Sequence, residues 1–415
     1  MSPNGKLPAF RTACATKLQA LLLLLTVPAA VQAQLDFTAT NGVITITGYT
    51  GSPTVLSIPD TIFGQPVTSI RDKAFYFCTS LTSLTIGTNV TSIGSYAFAE
   101  CTSLTSVTIP NSLTSIGDGL FSECHSLTSV TIPGSVTSIG TNAFYGCEGL
   151  TSISIPNSVT NIGDWAFFTC NGLTNFSLGN SINSIGVNAL AECHSLTSVT
   201  IPNSLTSIGD GLFFDCYSLT NVTIPGSVTS IGSVAFESCA SLTSVTIPDS
   251  VTSIGDHAFY RCYGLTSVTL GYRINSIEGQ AFFNCTNLTG VYFRGYAPSV
   301  GANVFYNDDK AIVYYLPGTT GWENSAQLTG LTTALWFLPN PLILYYSPTF
   351  GVRTNGFGFI ISWATNIPVV VEACTNLANP TWSPVGTNTL NGGWSYFSDP
   401  KWTNYTCRFY RIRSP

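Results

Sequence analysis

Ten cysteines recur at intervals of 23 residues through the middle of the chain. They are Cys78, Cys101, Cys124, Cys147, Cys170, Cys193, Cys216, Cys239, Cys262 and Cys285. A leucine follows each cysteine by three positions, from Leu81 to Leu288. Self-similarity at a fixed period of this length is the signature of a solenoid, in which each repeat forms one coil and buries its apolar side against the next coil.

The repeat from Cys101 to Glu123 shows what one coil contains. Val107 and Ile109 alternate with polar residues, which predicts a short strand with two side chains inward and two outward. Pro110 then ends the strand because proline donates no ladder hydrogen bond. Leu120 and Phe121 predict a short helical or 3-10 segment that closes the coil. The predicted class is therefore an α/β repeat solenoid of short parallel strands and short helical or 3-10 segments.

The repeat also carries a family resemblance. The pattern Leu-x-x-Val-x-Ile-Pro-x-x-Leu-x-x-Ile-Gly-x-x-x-Phe-x-x-Cys resembles the BspA-like class of bacterial leucine-rich repeats, over residues 50–316. The resemblance implies a secreted or cell-surface solenoid that binds other proteins, with no catalytic residues to carry over. The sequence departs from the pattern at Gly87, Gly179, Gly271, Leu190 and Glu278, where we expect locally looser coils.

The two ends of the chain depart from the period. Residues 1–33 combine three early cations with an apolar run of about twelve residues, which is too short to span a membrane and is typical of a cleaved signal peptide. Asn41-Gly42 between alternating runs predicts a hairpin cap over 34–55. The solenoid and its C-terminal cap are predicted over 56–338. Turn clusters between strand-like runs predict a small antiparallel, all-β domain over 339–415.

Composition and motifs exclude several functions. Charged residues make up 8% of the chain, and no Lys or Arg lies between Ala74 and Tyr260, where eleven acidic residues do. A nucleic-acid partner is therefore excluded for this region, because phosphate binding needs cations. No nucleophile elbow, zinc-protease motif, phosphate loop or dinucleotide fingerprint is present. We predict no enzyme activity, no cofactor, no metal and no transmembrane segment in the mature chain.

The bonding state of the cysteines and the spacing of the aspartates each allow two interpretations. One thiol per coil at a fixed phase favours small, buried and unbonded side chains over disulfides, although the chain is predicted to be exported. Cys374 and Cys407 lie outside the repeat, and we predict a disulfide between them. Asp118 and Asp164 begin a series spaced by 46 residues, which favours a two-coil duplication over a calcium ladder.

The outward strand positions form the candidate binding surface. This ladder consists of Thr85, Thr108, Thr131, Thr200, Thr223, Thr246, Thr269 and Tyr292, next to a column of mostly serine. One interpretation is structural, since Ser and Thr suit a solvated strand face and satisfy one another across a ladder. The other is that the ladder is a recognition face, with Tyr217, Tyr263, Tyr272 and Tyr292 as aromatic anchors.

The predicted function is a non-catalytic leucine-rich repeat scaffold, secreted or at the cell surface, that mediates protein–protein binding or adhesion. Its predicted partner is an extracellular or surface protein. The alternatives are a structural envelope protein, or a Ser/Thr ladder that binds a glycan or ice.

Overall fold

Two short strands from each repeat stack in parallel on the strands of the neighbouring repeats, so the chain forms a β-solenoid. The structure is a computed structural model that describes residues 34–323, 330–353 and 356–414. The predicted signal peptide, residues 1–33, lies outside the described residues.

The first strand of each coil carries the predicted alternation of buried and exposed residues. In β8, for example, Val107 is buried while Ser106 and Thr108 are exposed. These strands are β3 (Val55–Ile58), β6 (Ser83–Ile86), β8 (Ser106–Thr108), β10 (Ser129–Val130), β12 (Ser152–Ser154), β14 (Asn175–Ser177), β16 (Ser198–Thr200), β18 (Asn221–Thr223), β20 (Ser244–Ile247), β22 (Ser267–Leu270), β24 (Gly290–Phe293), β26 (Ile312–Tyr315) and β27 (Thr332–Leu335). They form the first sheet, in three segments: β3 to β14, β16 with β18, and β20 to β27. Pairing is parallel, so Ser106 lies beside Ser129 and Thr223 beside Thr200.

A second strand follows in most coils, with only two residues in all but the first of these strands; it was not predicted from the sequence. These strands are β5 (Gln65–Ile70), β7 (Ser92–Ile93), β9 (Ser115–Ile116), β11 (Ser138–Ile139), β13 (Asn161–Ile162), β15 (Ser184–Ile185), β17 (Ser207–Ile208), β19 (Ser230–Ile231), β21 (Ser253–Ile254), β23 (Ser276–Ile277) and β25 (Ser299–Val300). They also pair in parallel and form the second sheet, in three segments: β5 with β7, β9 to β15, and β17 to β25. Isoleucine, or Val300 in β25, is directed inward.

The third side of each coil is built from turns, so the predicted α/β class with helical or 3-10 segments in the repeats is wrong. Gly119 and Glu123, which lie five and one residues before Cys124, both have φ of 59°. The amides of Gly119 and Phe121 donate to carbonyls of the following coil at 2.8 and 2.9 Å. A helix would use these amides internally, whereas here they join neighbouring coils. The described residues contain no α-helix, and their one 3-10 turn, Trp402–Asn404, lies near the C-terminus.

The repeat cysteines form a single interior column, as predicted. All ten are buried and free. Nine donate Sγ–H to the backbone carbonyl of the Phe (in one coil Leu) that lies 26 residues earlier, at 3.1 to 3.4 Å. Beside this column the phenylalanines stack face to face from coil to coil, as Phe75 and Phe98 do at a centroid distance of 5.0 Å. Cysteine suits the column because its thiol is small and also satisfies a carbonyl.

The alternating aspartates join one coil to the next. Asp118 Oδ1 accepts the backbone N–H of Thr141 at 2.9 Å, and Asp164 Oδ1 accepts that of Val187 at 2.8 Å. An aspartate in every second coil thus caps an amide of the coil after it without placing like charges side by side, which would be costly. The pattern is explained by this bond and agrees with the predicted two-coil repeat.

The ends of the solenoid are covered by different elements. At the N-terminal end β1 (Gln34–Thr40) and β2 (Val43–Thr50) pair antiparallel, as expected from Asn41-Gly42, and β2 continues into the second sheet by pairing with β5, which also pairs with β4 (Thr61–Ile62). After β27 come two antiparallel sheets. One holds β28 (Leu342–Leu344), β29 (Gly351–Arg353), β30 (Gly356–Ser362) and β33 (Trp394–Asp399), and the other holds β31 (Pro368–Cys374), β32 (Ser383–Thr389) and β34 (Phe409–Arg413). The predicted all-β character of this region is confirmed.

Candidate functional site

The outer side of the first sheet presents the predicted ladder to solvent. We call this surface the hydroxyl face. The threonines at 85, 108, 131, 200, 223 and 246 are exposed, whereas Thr269 and Tyr292 are half-buried. The parallel register places Thr246, Thr269 and Tyr292 side by side on consecutive strands. The sheet is interrupted between β14 and β16 and between β18 and β20, so the face consists of three segments.

Two classes of threonine can be separated by what their hydroxyls bond. The column one residue before each strand is structural, because Thr105 Oγ1 donates to Thr82 O at 2.9 Å and Thr266 Oγ1 donates to Thr243 O at 2.9 Å. The predicted ladder behaves differently. Within the described residues, the hydroxyls of Thr85, Thr108, Thr131, Thr200, Thr223, Thr246 and Thr269 have no hydrogen-bond partner in the protein.

Mutual satisfaction across the ladder therefore does not explain this column. In the described part of the hydroxyl face, one cross-strand bond is present, from Ser177 to Ser154 at 3.0 Å. The remaining hydroxyls are available to water or to a partner, and each offers one donor and two acceptor positions.

An aromatic cluster ends the hydroxyl face at its C-terminal side. Tyr292 and Tyr314 stack at 4.9 Å with an interplanar angle of 9°, and Trp336 lies 5.1 Å from Tyr292. All three side chains are half-buried, so they keep accessible area while being held by one another. Sequence reasoning identified Tyr292 but missed its two neighbours, because the period decays after Cys285.

The other predicted anchors do not join this cluster. Tyr217 and Tyr263 are 42% and 43% exposed and lie directly after the column cysteines, and Tyr217 stacks on His194 at 4.2 Å. Tyr272 lies in the turn between the two sheets, stacked on Tyr346. The four predicted tyrosines thus belong to three separate surfaces.

The histidines and cysteines form no metal or redox centre in the described chain. No group of His, Cys, Asp and Glu there could hold a metal ion. His194 Nε2 lies 3.5 Å from a carboxylate oxygen of Asp215, and His125 Nδ1 lies 3.0 Å from the carbonyl of Gly146. Burial raises the pKa of the Cys216 thiol to about 12 and that of Cys147 well above its ordinary value. These two thiols are therefore protonated donors and poor nucleophiles.

The disulfide predicted between Cys374 and Cys407 is not formed in this structure. Both thiols are free, Cys374 buried and Cys407 exposed. Cys374, the last residue of β31, is paired with Phe409 of β34. Cys407 precedes Phe409 by two residues, so the two cysteines are not opposite each other.

One buried carboxyl group occupies the position that follows the last cysteine of the column. Asp308 stands 23 residues after Cys285, is 1% exposed, and has no hydrogen-bond partner for either carboxylate oxygen. Burial raises the pKa of Asp308 to about 8, with a smaller contribution from neighbouring Asp309. A protonated carboxyl group can donate a hydrogen bond as the thiols do, whereas a carboxylate cannot.

A cleft that the sequence did not reveal lies beside the last coils. It has a volume of about 480 Å³. It is lined by Thr252, Tyr272, Arg273, Asn275, Tyr296, Tyr345, Tyr346 and Pro348. Its solenoid wall comes from turns next to β22 and β24, and its other wall from the segment after β28.

These features define a repeat scaffold with an exposed polar sheet and no assembled catalytic centre among the described residues. Comparison with known proteins agrees. Residues 68–197 and 183–312 match the BspA type leucine rich repeat region, which together is more than half of the chain. The chain therefore belongs to the BspA-type leucine-rich repeat family, as its repeat pattern indicated, and scaffolds of this family are generally non-catalytic.

Solved structures show similar chains. A leucine-rich repeat protein from Bacteroides ovatus is 26% identical, with 75% of this chain and 100% of that chain covered and a TM-score of 0.55. A leucine rich cell surface protein from Faecalibacterium prausnitzii is 30% identical, with 64% and 96% covered and a TM-score of 0.36. Comparison with curated proteins finds no match. In the ranges that the structure describes, no helix has the length and apolarity to cross a membrane.

Proposed function

We propose that this protein is an exported, surface-held or secreted scaffold that binds an extracellular protein through its hydroxyl face. The observation that carries the proposal is the contrast between two threonine columns on the same sheet. In one column the hydroxyls bond the preceding coil wherever the first sheet is continuous, and in the other, from Thr85 to Thr269, the threonine hydroxyls have no protein partner among the described residues. The fold explains the first column and leaves the second free for recognition.

The chemistry of the face fits a protein partner. Protein interfaces place aromatic anchors in a patch whose remaining contacts are polar and exclude water. Tyr292, Tyr314 and Trp336 supply such anchors at one end, and uncharged hydroxyls supply the remainder. The ladder from Thr85 to Tyr292 covers the ten first-sheet strands from β6 to β24. At about 4.8 Å between strands it is roughly 45 Å long, which is long enough for a standard protein–protein interface.

Export and surface location are part of the proposal. The segment 1–33 has the composition of a signal peptide, and the similar chain from Faecalibacterium prausnitzii is described as a cell surface protein. We also propose the division into a hairpin cap over 34–55, a solenoid over 56–338 and a β-domain over 339–415. Mass spectrometry of the exported protein should find a mature chain that starts near Gln34, and a retained leader would contradict export by cleavage.

Site-specific crosslinking tests the hydroxyl face. A photoreactive residue at Thr200 should capture a matrix or cell-surface protein, whereas the same residue at Ser207, which is exposed on the second sheet, should not. Equal capture at both positions would mean that the hydroxyl face is not the binding surface.

Substitution provides the second test, with the captured protein as ligand. Thr131→Glu, Thr200→Glu and Thr223→Glu together place three carboxylates on the hydroxyl face and should abolish binding, because each buries a charge in the interface. The matched control carries Ser115→Glu, Ser207→Glu and Ser230→Glu on the second sheet and should keep the wild-type affinity. If the first variant binds normally and is folded by circular dichroism, the proposal is wrong.

A further inference from the structure

The cleft beside the last coils departs from the repeat at the residues that line it. The copies of the repeat within this chain show which residue the fold uses at each position. At the position of Tyr272 the other coils carry small or polar residues, and at the position of Arg273 most carry serine. These serines are Ser112, Ser135, Ser158, Ser181, Ser204, Ser227 and Ser250.

In five of these seven coils that serine has a structural task. Ser135 Oγ donates to Leu113 O at 2.7 Å, and Ser227 Oγ donates to Leu205 O at 2.8 Å. Arg273 occupies the position of this serine, so its coil lacks the inter-coil hydrogen bond that the serine hydroxyl makes elsewhere. Stability of the solenoid therefore does not explain the tyrosine and arginine at these two positions.

The walls of the cleft are held by contacts on both sides. Tyr272 and Tyr346 stack at 4.3 Å with an interplanar angle of 9°, and Tyr345 meets Tyr272 edge-on at 5.2 Å. The Tyr346 hydroxyl donates to the carbonyl of Arg294, and the Arg294 guanidinium pairs with Asp249 at 3.1 Å. The Tyr272 amide in turn donates to Asp249 at 3.3 Å. A preformed wall of this kind lowers the entropic cost of binding.

Charge around the cleft is positive although the chain as a whole carries −6. Asp249 is neutralised by Arg294. Arg273 lies 5.6 Å from the ring centroid of Tyr272 and has no carboxylate partner among the described residues. The cleft therefore offers one exposed guanidinium, the phenol rings and the polar side chains of Thr252 and Asn275.

We propose that this cleft binds an acidic saccharide, with a sugar ring against Tyr345 and a carboxylate on Arg273. Tyr345 is 48% exposed, so part of its side chain is accessible to a ligand. A guanidinium pairs with a carboxylate through two parallel hydrogen bonds, and Asn275 and Thr252 suit sugar hydroxyls. A volume of about 480 Å³ is in the range of small-ligand sites and accommodates one or two sugar rings.

A proline-rich peptide is the competing ligand, and the ring geometry disfavours it. Such peptides dock in grooves between separated aromatic side chains. Tyr272 and Tyr346 lie in contact with each other at 4.3 Å, which leaves no slot between them for a proline ring.

Calorimetry with defined oligosaccharides tests the proposal on the full chain. A tetrasaccharide of alternating glucuronic acid and N-acetylglucosamine should bind, and neutral chitotetraose should bind at least about tenfold more weakly. Arg273→Ser restores the residue of the other coils and should weaken the acidic ligand about tenfold or more. Tyr345→Ala should do the same, and Arg261→Ser, an exposed arginine outside the cleft lining, should have no effect.

Several results would overturn the assignment. They are equal affinity for both sugars, no binding of either at millimolar concentration, unchanged affinity in both cleft variants, or Tyr345-dependent binding of a proline-rich decapeptide in place of the sugar. The test is independent of the hydroxyl face, because the cleft variants change no residue of that face.

Discussion

One coil exchanges the sizes of two buried side chains, and this exchange can be tested by a double-mutant cycle. The coil from Cys170 to Glu192 has Leu190 where the others have the stacked phenylalanine, and Phe176 where they have Val, Ile or, in the first coil, Leu84. Phe176 packs edge-on against Phe167 at 5.3 Å and is 4% exposed, while Leu190 is 1% exposed. We therefore predict that Phe176 supplies the volume that Leu190 gives up, so that this coil is not loosely packed.

Each single reversal should therefore destabilise the protein. Phe176→Val leaves a cavity beside Phe167 and should cost about 2 kcal/mol, below the 3–5 kcal/mol typical of a full truncation to alanine. Leu190→Phe inserts a ring while Phe176 still fills the space and should cost about 1–3 kcal/mol. The double variant restores the arrangement of the other coils and should lie within about 1 kcal/mol of wild type. The coupling energy is then at least about 2 kcal/mol.

Urea denaturation followed by circular dichroism measures these differences, provided that the slope with denaturant is unchanged among the four proteins. Hydrogen exchange of amides in β14 and β16 should report the same order locally. Additive effects, with the double variant as unstable as the sum of the single changes, would refute the reasoning, because they would show that Phe176 and Leu190 do not share one volume.

Three further predictions follow from the backbone, the buried carboxyl group and the thiols. Val234 is β-branched at φ 51°, so Val234→Gly should stabilise the protein by about 0.5–1 kcal/mol in urea denaturation, whereas Ser233→Gly should destabilise it. The pKa of Asp308 is raised to about 8, so the native state binds a proton that the unfolded state releases, and stability should fall as pH rises from about 4 to 8. Asp308→Cys should remove that fall in thermal unfolding, and an unchanged pH profile would contradict the assignment. Alkylation of denatured protein without reductant should label both Cys374 and Cys407, and a mass short by two labels would instead show a disulfide.

The first sheet and the buried cysteine column could be predicted because the sequence pattern that indicates them recurs from coil to coil. Alternation around Val107 and the fixed phase of the cysteines identified the first sheet and the buried column, and both are present. The second sheet was missed because a strand of two residues, such as Ser115–Ile116, is too short to show alternation.

The helical prediction failed for a physical reason. Leu120, Phe121 and Cys124 have the spacing of one helix face, but the turn at Glu123 requires a positive φ that glycine would normally signal. In most coils ordinary residues occupy these positions, as Tyr96 and Glu100 do at φ 58° and 56°. Bonds to the next coil hold that backbone, and they arise only when coils are stacked.

Only one wall of the cleft could have been noticed in the sequence, because only that wall can be compared with other copies of the repeat. Its solenoid wall, Tyr272 and Arg273, departs visibly from the repeat, while Tyr345 and Tyr346 belong to a segment with no internal copy for comparison.

Internal copies separate what the fold requires from what it leaves free. Where most copies bond their neighbours, as Thr105 bonds Thr82, the residue is explained by stacking alone. Where the hydroxyl is free, as at Thr108, or where one copy abandons the common residue, as at Arg273, stacking explains nothing. Because a solenoid is stabilised by contacts between neighbouring coils, substitutions at positions of the second kind should change binding at little cost in stability. The hydroxyl face and the cleft are two surfaces of the described chain on which such positions lie together.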